Sequence, residues 1–246
     1  MPWNPLWYKA WLETRARFLI SLAGITALCL YRVYEGTRDA PAWTLMGLNY
    51  YYLVLRNGQG LLQLMWLVAI TLLMMGGLLQ EKANGSAPFT LAMPVSRMRL
   101  MNVRISAGLI EAALLIVVPW AAMYAMFCFI GPAPAVIQHL PAQVLFYVIV
   151  MAGGGAVFVG TSLLISSLVE GAYTAPTISA GIVLLCANAP RSLSFVNPVE
   201  FMGGQEYLGP GNLASGPMPW GHVAAYMAVG AMMIVASVKA VERRDF

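Results

Sequence analysis

Residues able to carry chemistry are few in this chain and lie far apart. The two histidines, His139 and His222, flank different apolar runs without a carboxylate pair, which indicates interfacial histidines rather than a metal site. Glu111 lies about two helical turns inside an apolar run, roughly 10 Å from its start at about 1.5 Å per residue. Ionisable groups inside such runs are functional candidates, so Glu111 is a candidate pathway residue. The favoured alternative is a glutamate near the membrane interface, paired with Arg104 on the same helical face.

Several familiar catalytic motifs are missing from the sequence. No phosphate-binding loop of the form Gly-x-x-x-x-Gly-Lys-Ser/Thr occurs, so the chain is not expected to hydrolyse ATP by itself. Neither a nucleophile elbow nor a His-Glu-x-x-His zinc motif is present. The three cysteines stand alone inside apolar runs, which favours packing residues over zinc ligands or disulfides. We therefore expect no enzyme activity, no cofactor and no metal in this chain.

Small residues cluster in one apolar run. Ala152, Ala156 and Gly160 recur every four residues and so share one helical face, where they let a second helix approach closely. Gly153, Gly154 and Gly155 add to this series. The glycines are candidates for a substrate pathway or a moving interface, and ordinary packing within one bundle is an equally good interpretation.

The stretch "EKANGSAPFTLAMPVSRMR", residues 81–99, combines charge, glycine and proline between two apolar runs. Asn84-Gly85-Ser86 is a turn signal, and Pro94 ends the next short segment. A helix, a turn and a short helix fit this pattern. Phe89 and Leu91 are more apolar than a solvated loop requires, so we expect lipid or a partner protein to cover them.

The composition identifies a membrane protein. Of 246 residues, 60% are hydrophobic and 10% are charged, whereas a soluble domain has about 25% charged residues. A membrane-crossing helix needs about 20 mostly apolar residues, so the chain has room for several such helices and no ordinary soluble domain. Six helical spans are predicted: Phe18–Tyr34, Leu61–Leu79, Ile105–Ile130, Val144–Val169, Gly171–Ala189 and Gly221–Lys239. The connection between the fourth and fifth spans is very short, which allows either a long kinked helix or a tight turn. The distribution of basic residues favours a tight cytoplasmic turn.

The distribution of basic residues predicts the orientation. With six spans, 10 of the 14 Lys and Arg residues fall on the side of the N-terminus and 4 on the other side. Cytoplasmic loops carry the excess of Lys and Arg, so both termini and the segment 80–104 are expected in the cytoplasm. Basic residues this few and scattered do not indicate nucleic-acid binding.

Two further segments have their own character. Trp3, Trp7 and Trp11 recur every four residues, which predicts an N-terminal helix over residues 1–17 lying along the membrane interface. Residues 190–220 contain five prolines and several glycines, typical of a structured outer loop with short half-inserted helices.

The segment 81–97 resembles the first long cytoplasmic loop of type-2 ABC exporter permeases. The usual pattern there is Glu-Arg-x-x-Gly-Thr, a leucine-rich stretch and Leu-Pro-Val-Ser-Arg. This chain has Glu81-Lys82-Ala83-Asn84-Gly85-Ser86 and then Met93-Pro94-Val95-Ser96-Arg97. The start "NPLWYKAWLETRARFL" is similar to the family's interfacial elbow helix, and the end "VERRDF" is similar to the Arg-Arg-Asp that closes many of these permeases. Lys82 and Ser86 replace the usual Arg and Thr, and the leucine-rich stretch contains few leucines. These departures affect mainly the contacts that a partner protein would make with the loop.

This resemblance implies a single transmembrane permease domain over residues 1–246, in the inner membrane of a prokaryote. Two such permeases, identical or homologous, would pair with two separate ATPase subunits that use the ATP. The loop would dock on the ATPase and couple ATP-driven closure to the transport pathway. The resemblance assigns this coupling role to Glu81, Lys82, Gly85, Ser86, Phe89, Leu91, Pro94 and Arg97.

Two other classes of membrane protein fit the sequence less well. An intramembrane enzyme would need paired polar groups at membrane depth, and the spans offer almost none. A stand-alone channel or secondary transporter usually has charged residues or broken helices near the midplane, and only Gly153–Gly155 interrupts a span in that way. The transported substrate is not readable from the sequence.

Overall fold

The computed structural model describes residues 4–38, 49–74, 96–130, 134–169, 174–189, 196–207 and 217–243. These ranges contain seven α-helices, a short 3-10 helix at Gln205–Tyr207 and no strand, which confirms the predicted all-α class. The α-helices are α1 (Asn4–Arg38), α2 (Asn49–Leu73), α3 (Arg97–Ile130), α4 (Pro134–Leu168), α5 (Thr174–Ala187), α6 (Pro198–Gly203) and α7 (Trp220–Glu242).

Four of these helices are long and apolar enough to cross a membrane. They contain the segments Pro5–Gly36, Met98–Ile130, His139–Leu168 and Trp220–Glu242. The chain is therefore a helical protein with the composition of a multi-pass membrane protein. The other two predicted spans fall on α2, which is outside this set, and on α5, which has 14 residues. The end of the predicted second span, residues 75–79, lies outside the described ranges.

The N-terminal helix includes parts of two predicted elements. Residues 4–17 of the predicted elbow helix and the whole of the predicted first span lie in one continuous helix, α1, with 35 residues. At about 1.5 Å per residue it is about 52 Å long, well beyond the roughly 30 Å of a hydrocarbon core. Residues 6–23 contain neither glycine nor proline, so nothing in the local sequence breaks the helix there.

Contacts between helices bring four basic side chains to one end of the bundle. Arg104 near the start of α3 is ion-paired with Glu13 near the start of α1, and Arg17 donates to the carbonyl of Leu72 at the end of α2. Lys239 in the last turns of α7 lies with Asn102 of α3 along one groove. We call this end, defined by Lys9, Arg17, Arg104 and Lys239, the basic end.

Helices α4 and α5 fold back on each other. The carbonyl of Cys186, at the end of α5, accepts a hydrogen bond of 2.7 Å from Nδ2 of Asn197. The next residue, Pro198, lies against Gly154 in the middle of α4. The 14 residues of α5 therefore return alongside the second half of α4, as a tight turn between them requires. The four residues between the two helices, 170–173, are outside the described part.

A close backbone contact joins α4 to α7. A Cβ atom added at Gly160 would lie 2.6 Å from the carbonyl oxygen of Gly230, and one added at Gly230 would overlap the backbone of Ala156. Two of the small residues that share one face of α4, Ala156 and Gly160, thus meet Gly230 of α7 within the same chain. The third, Ala152, is exposed. Large side chains fill the space between the other helices, among them Trp66, Trp120, Phe127 and Tyr147.

Candidate functional site

Most residues of the predicted coupling loop lie outside the described ranges. These are Glu81, Lys82, Gly85, Ser86, Phe89, Leu91 and Pro94, and their coupling role remains a prediction. Arg97 is the first residue of α3, although its side chain is not described. The described structure resumes at Ser96, so the connection between loop and bundle can be followed from that residue onward.

Ser96 starts α3 in the manner of an N-cap. Its hydroxyl oxygen accepts a hydrogen bond of 3.3 Å from the backbone N–H of Arg99, and its carbonyl accepts one of 3.2 Å from the N–H of Leu100. A serine side chain in this position satisfies one of the otherwise unpaired N–H groups of the first turn. The serine of the Met93–Arg97 motif therefore has a local structural role at the junction of loop and helix.

An ion-pair cluster joins α1 to α3 at the basic end. Oε2 of Glu13 lies 3.3 Å from Nη2 of Arg104, and its Oε1 lies 3.6 Å from Nζ of Lys9 one turn earlier. The Arg104 side chain is 17% exposed and those of Lys9 and Glu13 about one third exposed. The sequence spacing favoured Arg104 as a partner of Glu111, whereas the structure pairs it with Glu13 on another helix.

A small apolar contact lies next to this cluster. Ala10 of α1 packs against Val103 and Ala107 of α3, and Leu6 and Trp7 cover the contact. Alanine at two of these positions lets the two helices approach closely. The start of α3 is therefore fixed to α1 by apolar packing as well as by charge.

Glu111 lies deeper in the same helix contact. Its side chain is 3% exposed, and its Oε1 forms a hydrogen bond with the hydroxyl of Thr14 on α1. Its other oxygen, Oε2, is buried and has no hydrogen-bond partner among the described residues. A cavity of about 20 Å³ adjoins Thr14 and is lined by Arg104, Gly108, Met74 and residues of α1, α2 and α4.

An open groove runs between α3 and α7 at the basic end. Its volume is about 460 Å³, and its walls are the apolar residues Ile105, Ile234, Val235 and Val238. Asn102, Lys239 and Glu242 supply polar groups along the same groove. The groove begins beside the first turns of α3.

The three glycines predicted for a pathway or for packing all lie at close contacts inside the bundle. A Cβ atom at Gly154 would be 2.8 Å from the carbonyl oxygen of Pro198, and one at Gly155 would be 2.6 Å from the Trp66 ring. One at Gly153 would be 3.3 Å from Val223 of α7. The glycines thus make room for the short helix α6, for a tryptophan of α2 and for α7. Their part in a pathway remains a prediction.

Two buried glutamines, which are not among the predicted site residues, hold α6 in place. Nε2 of Gln59 donates to the carbonyl of Met202 at 2.7 Å, and Nε2 of Gln63 donates to the carbonyl of Val199 at 2.5 Å. Asn197 caps α6 by accepting from the N–H of Val199. The signal available in the sequence was the spacing of four, which puts both glutamines on one helical face.

No group of three or more His, Cys, Asp or Glu side chains among the described residues is arranged to hold a metal ion. His139 is exposed, and His222 packs near Phe201 and Tyr207 with ring centroids 6.1 Å apart in both cases. No protein-family model matches the sequence, and a search of curated proteins gives no match.

Proposed function

We propose that this chain is the membrane-spanning permease subunit of an ATP-binding cassette exporter of the type-2 class. It works as a dimer with a second, identical or homologous permease, which together form the substrate pathway. A separate ATPase subunit binds and hydrolyses the ATP. The chain crosses the inner membrane of a prokaryote six times, through α1, α2, α3, α4, α5 and α7, with both termini in the cytoplasm.

The observation that carries this proposal is the fixed contact between the starts of α1 and α3. The segment 81–96 leads directly into α3, whose first turns are fixed to α1 by the Glu13–Arg104 ion pair and by the packing around Ala10. A force applied to the segment is therefore delivered to two helices together. A coupling loop needs this property, because a push on a loosely held helix end would dissipate in local bending.

Charge and sequence motifs support the same proposal. The basic end gathers Lys9, Arg17, Arg104 and Lys239, as expected for the cytoplasmic side under the positive-inside rule. The absence of a phosphate-binding loop from the sequence agrees with an energy source on another chain. The motifs at residues 81–97 and at the two ends of the chain then have one common interpretation, namely docking of an ATPase at the basic end.

The test is purification of the tagged chain from its native membrane, with and without Glu81→Arg. We expect an ATPase that contains a phosphate-binding loop to co-purify with the unmodified chain and to hydrolyse ATP in the reconstituted complex. Glu81→Arg should lower the co-purified amount or the ATPase activity about tenfold, the effect of about 1.4 kcal/mol of lost contact energy. Membrane insertion should be unchanged.

Glu35→Arg is the matched control, because Glu35 is an exposed glutamate near the other end of α1. This substitution should leave co-purification and ATPase activity at the level of the unmodified chain. Recovery of the chain without any such ATPase, or normal activity in Glu81→Arg, would contradict the coupling role.

A stand-alone channel or secondary transporter is the second candidate, and the buried Glu111 is the observation that favours it. Ionisable groups in apolar helices mark ion and proton paths in such proteins. Proteoliposomes that contain this chain alone distinguish the two functions. Transport driven by an ion gradient without ATPase supports the second candidate, and transport only with ATPase and ATP supports the first.

A further inference from the structure

Glu111 is a buried acid with an incomplete set of hydrogen bonds. It is 3% exposed within one of the four helices that are apolar enough to cross a membrane. Its one hydrogen-bond partner among the described residues is Thr14, and Oε2 is buried without any. A carboxylate in such a place normally has a cation or several donors beside it, because an unpaired buried charge is strongly unfavourable.

The single hydrogen of the Thr14 hydroxyl indicates whether Glu111 is protonated or ionised. The Thr14 hydroxyl has one hydrogen, and two acceptors compete for it, the carbonyl of Ala10 at 3.2 Å and Oε1 of Glu111. If Glu111 were ionised, one of these contacts would lack a hydrogen. If Glu111 is protonated, it donates to the Thr14 oxygen while Thr14 donates to the carbonyl of Ala10, and both contacts are hydrogen bonds.

The basic groups nearby have partners other than Glu111. Arg104 lines the small cavity next to Thr14, and its guanidinium is ion-paired with Glu13, which also pairs with Lys9. Arg17 donates to the carbonyl of Leu72. The described contributions of α2 and α4 to the cavity are the apolar side chains of Leu73, Met74 and Leu163. The cavity is about the size of one water molecule, so solvation of a carboxylate there is limited.

We propose that Glu111 is a proton-binding site at the contact between α1 and α3. Its carboxyl is held as the neutral acid while Thr14 lies against it. When the contact between Thr14 and Glu111 opens, water reaches the carboxyl, the O–H bond breaks, and the proton passes to water and leaves a carboxylate. Opening of this contact and release of one proton are then a single linked event. This inference does not depend on the proposed permease function.

Covalent labelling with an apolar carbodiimide tests the protonation state directly. Carbodiimides add to the protonated carboxyl group, and an apolar reagent reaches acids inside a membrane. In membranes at neutral pH we expect the peptide that contains Glu111 to carry the adduct and the peptide that contains the ion-paired Glu13 to remain unlabelled. Labelling of Glu111 should fall about tenfold for each pH unit above the midpoint of its titration.

The variants Glu111→Gln and Glu111→Ala give a second readout that does not need labelling. Glutamine keeps the shape of the neutral acid and can donate from its amide to Thr14, whereas alanine removes the contact. We expect Glu111→Gln to unfold at the same temperature as the unmodified chain at acidic pH, where the unfolded chain is also protonated. At neutral pH Glu111→Gln should unfold at a higher temperature, because only the unmodified chain loses stability as pH rises. Glu111→Ala should unfold at a lower temperature than Glu111→Gln at every pH.

Three results would overturn the proposal. One is an unlabelled Glu111 at neutral pH in a chain that is folded and in the membrane. Another is a destabilisation by Glu111→Gln as large as that by Glu111→Ala, which would indicate a required negative charge. The third is labelling that sodium ions block at constant pH, which would indicate a metal cation at Oε2 in place of the proton.

Discussion

Oε2 of Glu13 lies 3.3 Å from Nη2 of Arg104 and so connects α1 to α3 at the basic end. Because Glu13 is about one third exposed, solvent screening limits the energy of the pair. We expect Glu13→Gln and Arg104→Gln each to lower the free energy of unfolding by about 0.2–1 kcal/mol. The double variant should lose less than the sum of the two, which thermal unfolding of the purified chain would measure. Additive losses would show that the pair has no coupling energy.

The contact of Gly160 with Gly230 predicts a large effect from one methyl group. A Cβ atom at Gly160 would lie 2.6 Å from the backbone oxygen of Gly230, so α4 and α7 must separate to admit it. We expect Gly160→Ala to destabilise the protein by about 1–3 kcal/mol. Gly181→Ala is the matched control, because an added Cβ there meets nothing within 4 Å. An unfolding temperature for Gly160→Ala equal to that of the control would contradict the close approach.

The hydrogen bond from Gln59 predicts how α6 is held. In Gln59→Leu the carbonyl of Met202 loses its donor, at a cost of about 1–3 kcal/mol for a buried group left unpaired. We expect faster amide hydrogen exchange in residues 197–204, measured by mass spectrometry. Asn57→Leu on the same helix is the control, since Asn57 is exposed. Unchanged exchange in Gln59→Leu would mean that packing alone holds α6.

Tyr207 provides a prediction about pH outside the membrane-spanning helices. Burial raises the pKa of Tyr207, and the negative charge of neighbouring Glu206 raises that pKa further. Because the folded state holds this proton more tightly than the unfolded state, the stability contribution of Tyr207 falls as pH rises above the ordinary tyrosine pKa. We expect Glu206→Gln to move the ionisation to lower pH, as followed by ultraviolet difference spectra against Tyr207→Phe. A shift in the opposite direction would contradict the assigned cause.

The apolar runs in the sequence predicted where helices exist better than where they end. The run Ile105–Ile130 sits inside α3, which begins eight residues earlier at Arg97. Polar residues near the end of a helix lower the local hydropathy, but the backbone hydrogen bonds of the helix continue through them. An apolar run therefore marks only the part of a helix that is long enough to cross the membrane. Ser96, as the cap, was the better local signal for the start. The same reasoning explains why α1 includes residues 4–17, for which the tryptophan spacing predicts an interfacial elbow helix.

The partners of individual side chains could not be predicted in the same way. Arg104 and Glu111 are seven residues apart on one helix, which made them a reasonable pair from spacing alone. Arg104 instead meets Glu13 of α1, and Glu111 meets Thr14 of α1. More than ninety residues of chain separate the members of each pair. Such pairings depend on which helices become neighbours, and the periodicity of a single helix contains no information about that. Gln59 and Gln63 were missed for the same reason.

The seam of glycine and alanine between α4 and α7 also limits how this protein can change shape. Where the two backbones touch over Ala156, Gly160 and Gly230, the closest atoms are backbone and Cβ atoms, which have no rotamers that could absorb a sliding movement. The two helices should therefore move together as one rigid body. Any rearrangement must then be concentrated in the contacts of this pair with α1, α2 and α3, where flexible side chains such as those of Met74 and Arg104 lie.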